Sequence, residues 1–119
     1  RSARFKRFVS SFSHIETLVL DNIGYPRYNI FNSVVATLGK IKIERLEVKD
    51  EGCDVQMQKR IINLTRKHGI RRISIGCNLC SQSNMSNCLT ELAKLGSTIN
   101  VYERVKNKNS FYVDVLKYF

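Results

Sequence analysis

The sequence predicts an α/β fold in which short strands alternate with amphipathic helices, and three observations carry that expectation. Three stretches share one spacing of apolar residues: "IETLVLDNI" from Ile15, "IERLEVKDE" from Ile43 and "IRRISIGCN" from Ile70. Their starts lie 28 and 27 residues apart, and a fixed period of about 20–50 residues marks a stack of repeated units. A helix-like stretch follows each copy, and a glycine (Gly39, Gly69, Gly96) stands where each helix should stop, a position that suits a left-handed closing residue.

Within each copy, positions 1, 4 and 6 are apolar. In the second copy the intervening residues include Glu44, Arg45, Glu47, Lys49 and Asp50. Charges of that density cannot be buried unpaired, so positions 1, 4 and 6 should point into a core and the others line an open face. The first helix stripe is Ile30, Phe31, Val34, Val35, Leu38 and Ile41; the second is Met57, Ile61, Ile62 and Leu64; the third is Met85, Cys88, Leu89, Leu92 and Leu95. This is the 3.6-residue spacing of helices with one buried side. Asp54, and Ser83 or Asn84, are suited to cap helix starts. Strands joined through helices should run parallel, with right-handed crossovers.

The ends depart from the repeat. Residues 1–14 carry Phe5, Val9 and Phe12 on one helical face among basic residues, predicting an N-terminal capping helix. Residues 15–98 hold the three repeats. A degenerate fourth start, "INVYERV", follows at Ile99, and residues 100–105 and 111–116 alternate around "KNKNS". They read as a β-hairpin closing the stack over 99–119, since terminal units must cap the core.

The L-x-x-L-x-L pattern at Ile15/Leu18/Leu20, Ile43/Leu46/Val48 and Ile70/Ile73/Ile75 resembles a leucine-rich repeat. The period is similar to the ribonuclease-inhibitor type, with true helices on the convex side. Cys77 follows the third strand where such repeats carry Asn or Cys, whereas Ile23 and Glu51 depart there, so an asparagine ladder is not expected. The resemblance implies a short leucine-rich-repeat-like stack of three strand–helix units with a C-terminal hairpin cap. The alternative is a small two-layer or three-layer α/β domain with a parallel sheet. The Ile-rich units also look like the domains that follow the F-box in nematode F-box proteins. That second likeness implies a substrate receptor of a ubiquitin ligase.

The chain has 119 residues, about one domain with a real core. It does not begin with Met, which predicts a fragment or a processed product. No apolar run approaches the ~20 residues of a membrane span, and no signal-peptide h-region is present, so an intracellular protein, cytoplasmic or nuclear, is expected. Cys53, Cys77, Cys80 and Cys88 then read as reduced thiols. Twenty Lys and Arg stand against ten Asp and Glu, net +10, which favours an acidic partner or nucleic acid. From Val55 to Thr90 there are six basic residues and no acidic one.

Chemistry is sparse. "CNLC", Cys77 to Cys80, has the spacing of a thioredoxin-like redox motif, yet the one proline, Pro26, lies upstream; the thiols read better as small core hydrophobes. Zinc would find four thiols but only one C-x-x-C pair. His14 and His68 fall at strand edges and read as solvated. No nucleophile elbow, glycine-rich phosphate loop or paired carboxylate is present. The sequence therefore predicts a non-enzymatic module without cofactor or metal that binds a protein partner through Glu44, Arg45, Glu47, Lys49, Arg71, Arg72 and Ser74, on a strand face that also carries Glu16, Thr17, Val19 and Asp21. The alternative is RNA or DNA binding, or a ribonucleoprotein role, through Lys59, Arg60, Arg66 and Lys67. Tyr25, Tyr28, Tyr102 and Phe111 would then offer stacking faces.

Overall fold

The computed structural model describes residues 2–11 and 13–103. The elements follow in the order α1 (Ser2–Ser10), β1 (His14–Asp21), α2 (Tyr28–Leu38), β2 (Lys42–Lys49), α3 (Val55–His68), β3 (Arg72–Cys77), α4 (Leu79–Gln82), α5 (Ser86–Lys94) and β4 (Thr98–Glu103). The four strands form one parallel sheet in the order β1-β2-β3-β4. The fold is α/β, with each strand laid beside its predecessor.

The register of the sheet is the repeat read as geometry. Leu18, Leu46, Ile73 and Ile99 are neighbours across the strands, as are Leu20, Val48, Ile75 and Val101. These residues pack with Phe31, Val34 and Leu38 of α2, Met57, Ile61 and Leu64 of α3, and Cys88 and Leu92 of α5 in a single core cluster. The helices therefore cover the face of the sheet that positions 4 and 6 point to, and no described element covers the other. Position 1 lies where the chain enters the strand: Ile43 and Ile70 are buried there, and Ile70 precedes β3. That is why two residues rather than one separate positions 1 and 4.

Backbone bonds extend the ladder beyond the strands. The amide of Asn22 donates to Lys49 O (2.8 Å), that of Asp50 to Gly76 O (3.0 Å) and that of Asn78 to Glu51 O (2.9 Å). On the entry side two side chains join successive copies. Ser97 Oγ donates to Ile70 O (2.7 Å), and His68 Nδ1 lies 2.6 Å from Ile41 O. A carbonyl only accepts, so Nδ1 carries the proton.

Several sequence expectations are corrected by this register. Ile99 pairs with Ile73, so it is position 4 of a fourth unit and not its start. Asn78 rather than Cys77 occupies the turn matched to Glu51; Cys77 is the last residue of β3. His68 is buried, with Nε2 lacking a hydrogen-bond partner among the described residues, because it closes α3 against the entry turn of β2. Asp54 does cap α3, accepting from the Met57 amide at 2.9 Å. The residue at the start of α5, however, is Met85, without a side-chain cap, rather than Ser83 or Asn84. The short α4 ends just before them, closed by Ser83, and is itself capped at its start by Asn78. The expected first hairpin arm is β4, which pairs in parallel with β3; the second arm lies outside the described residues. Among the described residues no helix is long and apolar enough to cross a membrane.

Candidate functional site

The side chains between the core positions form three rows across the open face. The first is Thr17, Arg45, Arg72 and Thr98; the second is Val19, Glu47, Ser74 and Asn100; the third is Asp21, Lys49, Gly76 and Tyr102. All four members of the first row are exposed. The face closes progressively toward the third row, where Asp21 and Gly76 are buried.

A glycine in β3 makes that closure feasible. A Cβ on Gly76 would come within 2.7 Å of the Tyr102 ring, so the ring lies directly on the β3 backbone. From there Tyr102 Oη donates to Glu47 Oε1 at 3.0 Å, and Lys49 Nζ stands 3.9 Å from the same oxygen. The Glu47 carboxylate is thus engaged from the third-row side. Glu44 turns the other way, to His14 Nε2 at 3.5 Å. Among the described residues Arg45 and Arg72 have neither an ion pair nor a side-chain hydrogen bond, although they are direct cross-strand neighbours. Below them, at the strand entrances, Lys42, Glu44, Gly69, Arg71 and Arg72 line a depression of about 290 Å³.

The predicted partner-binding residues therefore do come together, with one exception in character. Arg45, Glu47, Lys49, Arg72 and Ser74 share the face, and Glu44 and Arg71 sit at its entrance edge. Ser74 is buried rather than exposed.

The four residues proposed for nucleic acid do not act as one group. Lys59, Arg66 and Lys67 are exposed on the outer side of α3, on the opposite side of the molecule from the open face. Arg60 is committed to the protein: its guanidinium lies 4.1 Å from the Tyr28 ring centroid and its Nε donates to Asn32 Oδ1 at 3.3 Å. Tyr28 in turn donates to Asp54; burial first, then that carboxylate, holds its hydroxyl well above the usual range. Of the aromatic faces foreseen for stacking, Tyr25 is 79% exposed. Tyr28 lies under Arg60, Tyr102 lies on Gly76, and Phe111 is outside the described residues.

Three of the four thiols pack in the core. Cys53, Cys77 and Cys88 are free and buried. Burial pushes Cys53 up to about 12 and Cys88 up to about 11, and raises Cys77 as well. A nucleophilic thiol needs the opposite shift. Among the described residues no group of three or more His, Cys, Asp or Glu side chains is placed to hold a metal. The "CNLC" motif has a structural origin that the sequence displays twice, in "CDVQMQ" from Cys53 and "CNLCSQ" from Cys77. In each, the second residue caps a helix: Asp54 accepts from Met57 N and Asn78 from Ser81 N. The sixth returns its amide to the cysteine carbonyl, Gln58 to Cys53 O at 3.0 Å and Gln82 to Cys77 O at 3.4 Å. Cys80 thus stands where the other copy has Gln56. The repeated Cys-[Asp/Asn]-x-x-x-Gln was the signal for this cap. It is offset from the strand register by three residues, which hides it from an alignment made on the strands.

No protein-family model, curated protein or solved structure matches this chain.

Proposed function

We propose that this chain is a non-enzymatic protein-interaction module whose partner docks on the open face of the sheet, as in leucine-rich-repeat-like proteins. The observation that carries the reading is the first row: four exposed polar side chains across four adjacent strands, two of them arginines with no partner among the described residues. A folded sheet gains nothing from adjacent like charges, whereas a surface that meets a partner uses such side chains for orientation and on-rate. A role in substrate recognition by a ubiquitin ligase, in the cytoplasm or nucleus, rests on the likeness to nematode F-box proteins. A second reading, nucleic-acid binding, is favoured by exposed Lys59, Arg66 and Lys67 on the acid-free α3.

Photo-crosslinking separates the two. A photoreactive residue at Asn100 on the open face should give protein adducts in cells, and the same residue at Lys59 should not. Titration with labelled RNA and DNA at two salt concentrations is the counterpart. Binding tighter than about micromolar at physiological salt exceeds ordinary non-specific affinity and, with a steep salt dependence, would replace the protein-binding reading by the nucleic-acid one.

A further inference from the structure

We infer that the Arg45–Arg72 pair takes the carboxylates of an extended acidic peptide segment in the partner protein. The inference rests on the open face being the binding surface and adds the chemistry of what it binds.

Three features point to an anion. Arg45 and Arg72 are register partners on adjacent parallel strands, so their Cα atoms are about 4.8 Å apart and their side chains leave the same face. Two guanidiniums present only donors, and the flanking Thr17 and Thr98 add hydroxyls at either end of the row. The two carboxylates that flank Arg45 on its own strand are engaged elsewhere: Glu47 by Tyr102 and Lys49, Glu44 by His14. The entrance depression beside the row adds two further cations, Lys42 and Arg71, against one carboxylate, Glu44, which is paired with His14.

The arrangement suits an extended peptide better than a nucleic-acid backbone. Side chains at i and i+2 of an extended chain lie on one side, about 7 Å apart, and two splayed arginines reach that separation. Planar guanidiniums match carboxylates in a bidentate fork. Glu47 and Glu44, beside the row, would repel a continuous phosphate backbone laid along the face but leave room for two discrete carboxylates.

The test is fluorescence anisotropy of the 119-residue chain with a labelled Glu-Ser-Glu-Ser-Glu peptide at physiological salt. Its Gln-for-Glu counterpart and a single-stranded RNA of similar length serve as competitors. The acidic peptide should bind, and the Arg45→Gln/Arg72→Gln variant should weaken it at least tenfold. Arg45→Lys/Arg72→Lys, which keeps the charge and loses the fork, should fall between. Lys59→Gln/Lys67→Gln on the opposite side should change it less than twofold, and circular dichroism should report the same fold for all variants. Equal weakening by the two Gln variants would reduce the effect to net charge and overturn the inference. Equal binding of the Gln-for-Glu peptide, or tighter RNA binding lost with Arg45 and Arg72, would overturn it too. If the acidic peptide does not bind while protein adducts form at Asn100, this inference falls and the interaction module stands. If neither appears, both fall.

Discussion

Leu46 and Glu47 are consecutive residues of β2 with opposite assignments. Leu46 is fully buried in contact with the helices, in a row with Leu18 and Ile73. Glu47 stands on the open face, where among the described residues it meets Lys49 and a tyrosine two strands away. The inward positions are constrained by volume, because a close-packed interior registers the loss of a single methylene. The outward positions of the exposed first row, unlike buried Ser74 and Gly76 further along the face, are constrained by little that folding requires. Side chains there can be chosen for what they meet from outside, and this is what makes Arg45 and Arg72 informative while Leu46 and Val48 speak only for the fold.

The largest effect should come from the inward side. Leu46→Ala removes a side chain at the centre of the core and leaves a cavity, so it should cost about 2–5 kcal/mol. Glu47→Ala, one residue away, removes one hydrogen bond and one weak ion pair and should cost about 1 kcal/mol or less. Urea denaturation of the two variants measures the difference. Equal losses would mean that the open face is packed against something and that the contrast drawn between the faces is wrong.

The buried thiols extend the contrast to pH. In the unfolded chain a cysteine titrates near 9, whereas Cys53 is held up to about 12 and Cys88 up to about 11 in the folded protein. Both folded values are raised. The stability due to burying the neutral thiol is therefore fully present below pH 9 and is lost as pH climbs toward 11 and 12. Each thiol can contribute up to about 1.4 kcal/mol per pH unit in that window. Urea midpoints should fall from pH 9 to 11, and Cys88→Ala should flatten the slope relative to its own value at pH 7. An unchanged slope in that variant would show that Cys88 ionises without unfolding.

Much of this was legible because the strand repeat and the helix stripes obey simple periods. Positions 4 and 6 of each copy, the Asp54 cap and the glycine stops follow from spacing alone, and the structure has positive φ at Gly39, Gly69 and Gly96. What spacing could not reveal depended on register between copies. Units separated by 28, 27 and then 26 residues, as the pairs Leu18–Leu46, Leu46–Ile73 and Ile73–Ile99 are, cannot be aligned by one fixed period, so spacing alone puts Ile99 at position 1 where the register puts it at position 4. His68 looks like a strand-edge residue until the Ile41 carbonyl is set beside it. At the site, spacing identified Arg45, Glu47 and Arg72 as outward-facing. The engagement of Glu47 by Tyr102 required knowing that Gly76 leaves room for a ring from β4.

The smallest expected effect is the most diagnostic of the open face. Arg45 and Arg72 repel across one rung, and like charges directly opposed in a sheet destabilise it by a few tenths of a kcal/mol. Arg72→Gln should therefore leave the folded chain as stable as before or raise its stability by about that amount. The gain should shrink at high salt, because exposed charges are screened within about 10 Å at 0.1 M ionic strength. Stability curves at two salt concentrations make the measurement. If Arg72→Gln instead destabilises by more than about 1 kcal/mol, the arginine holds the fold together and is not available to a partner. Stability gained together with acidic-peptide binding lost would separate the two roles in one substitution: a residue that folding tolerates at a small cost and that recognition requires.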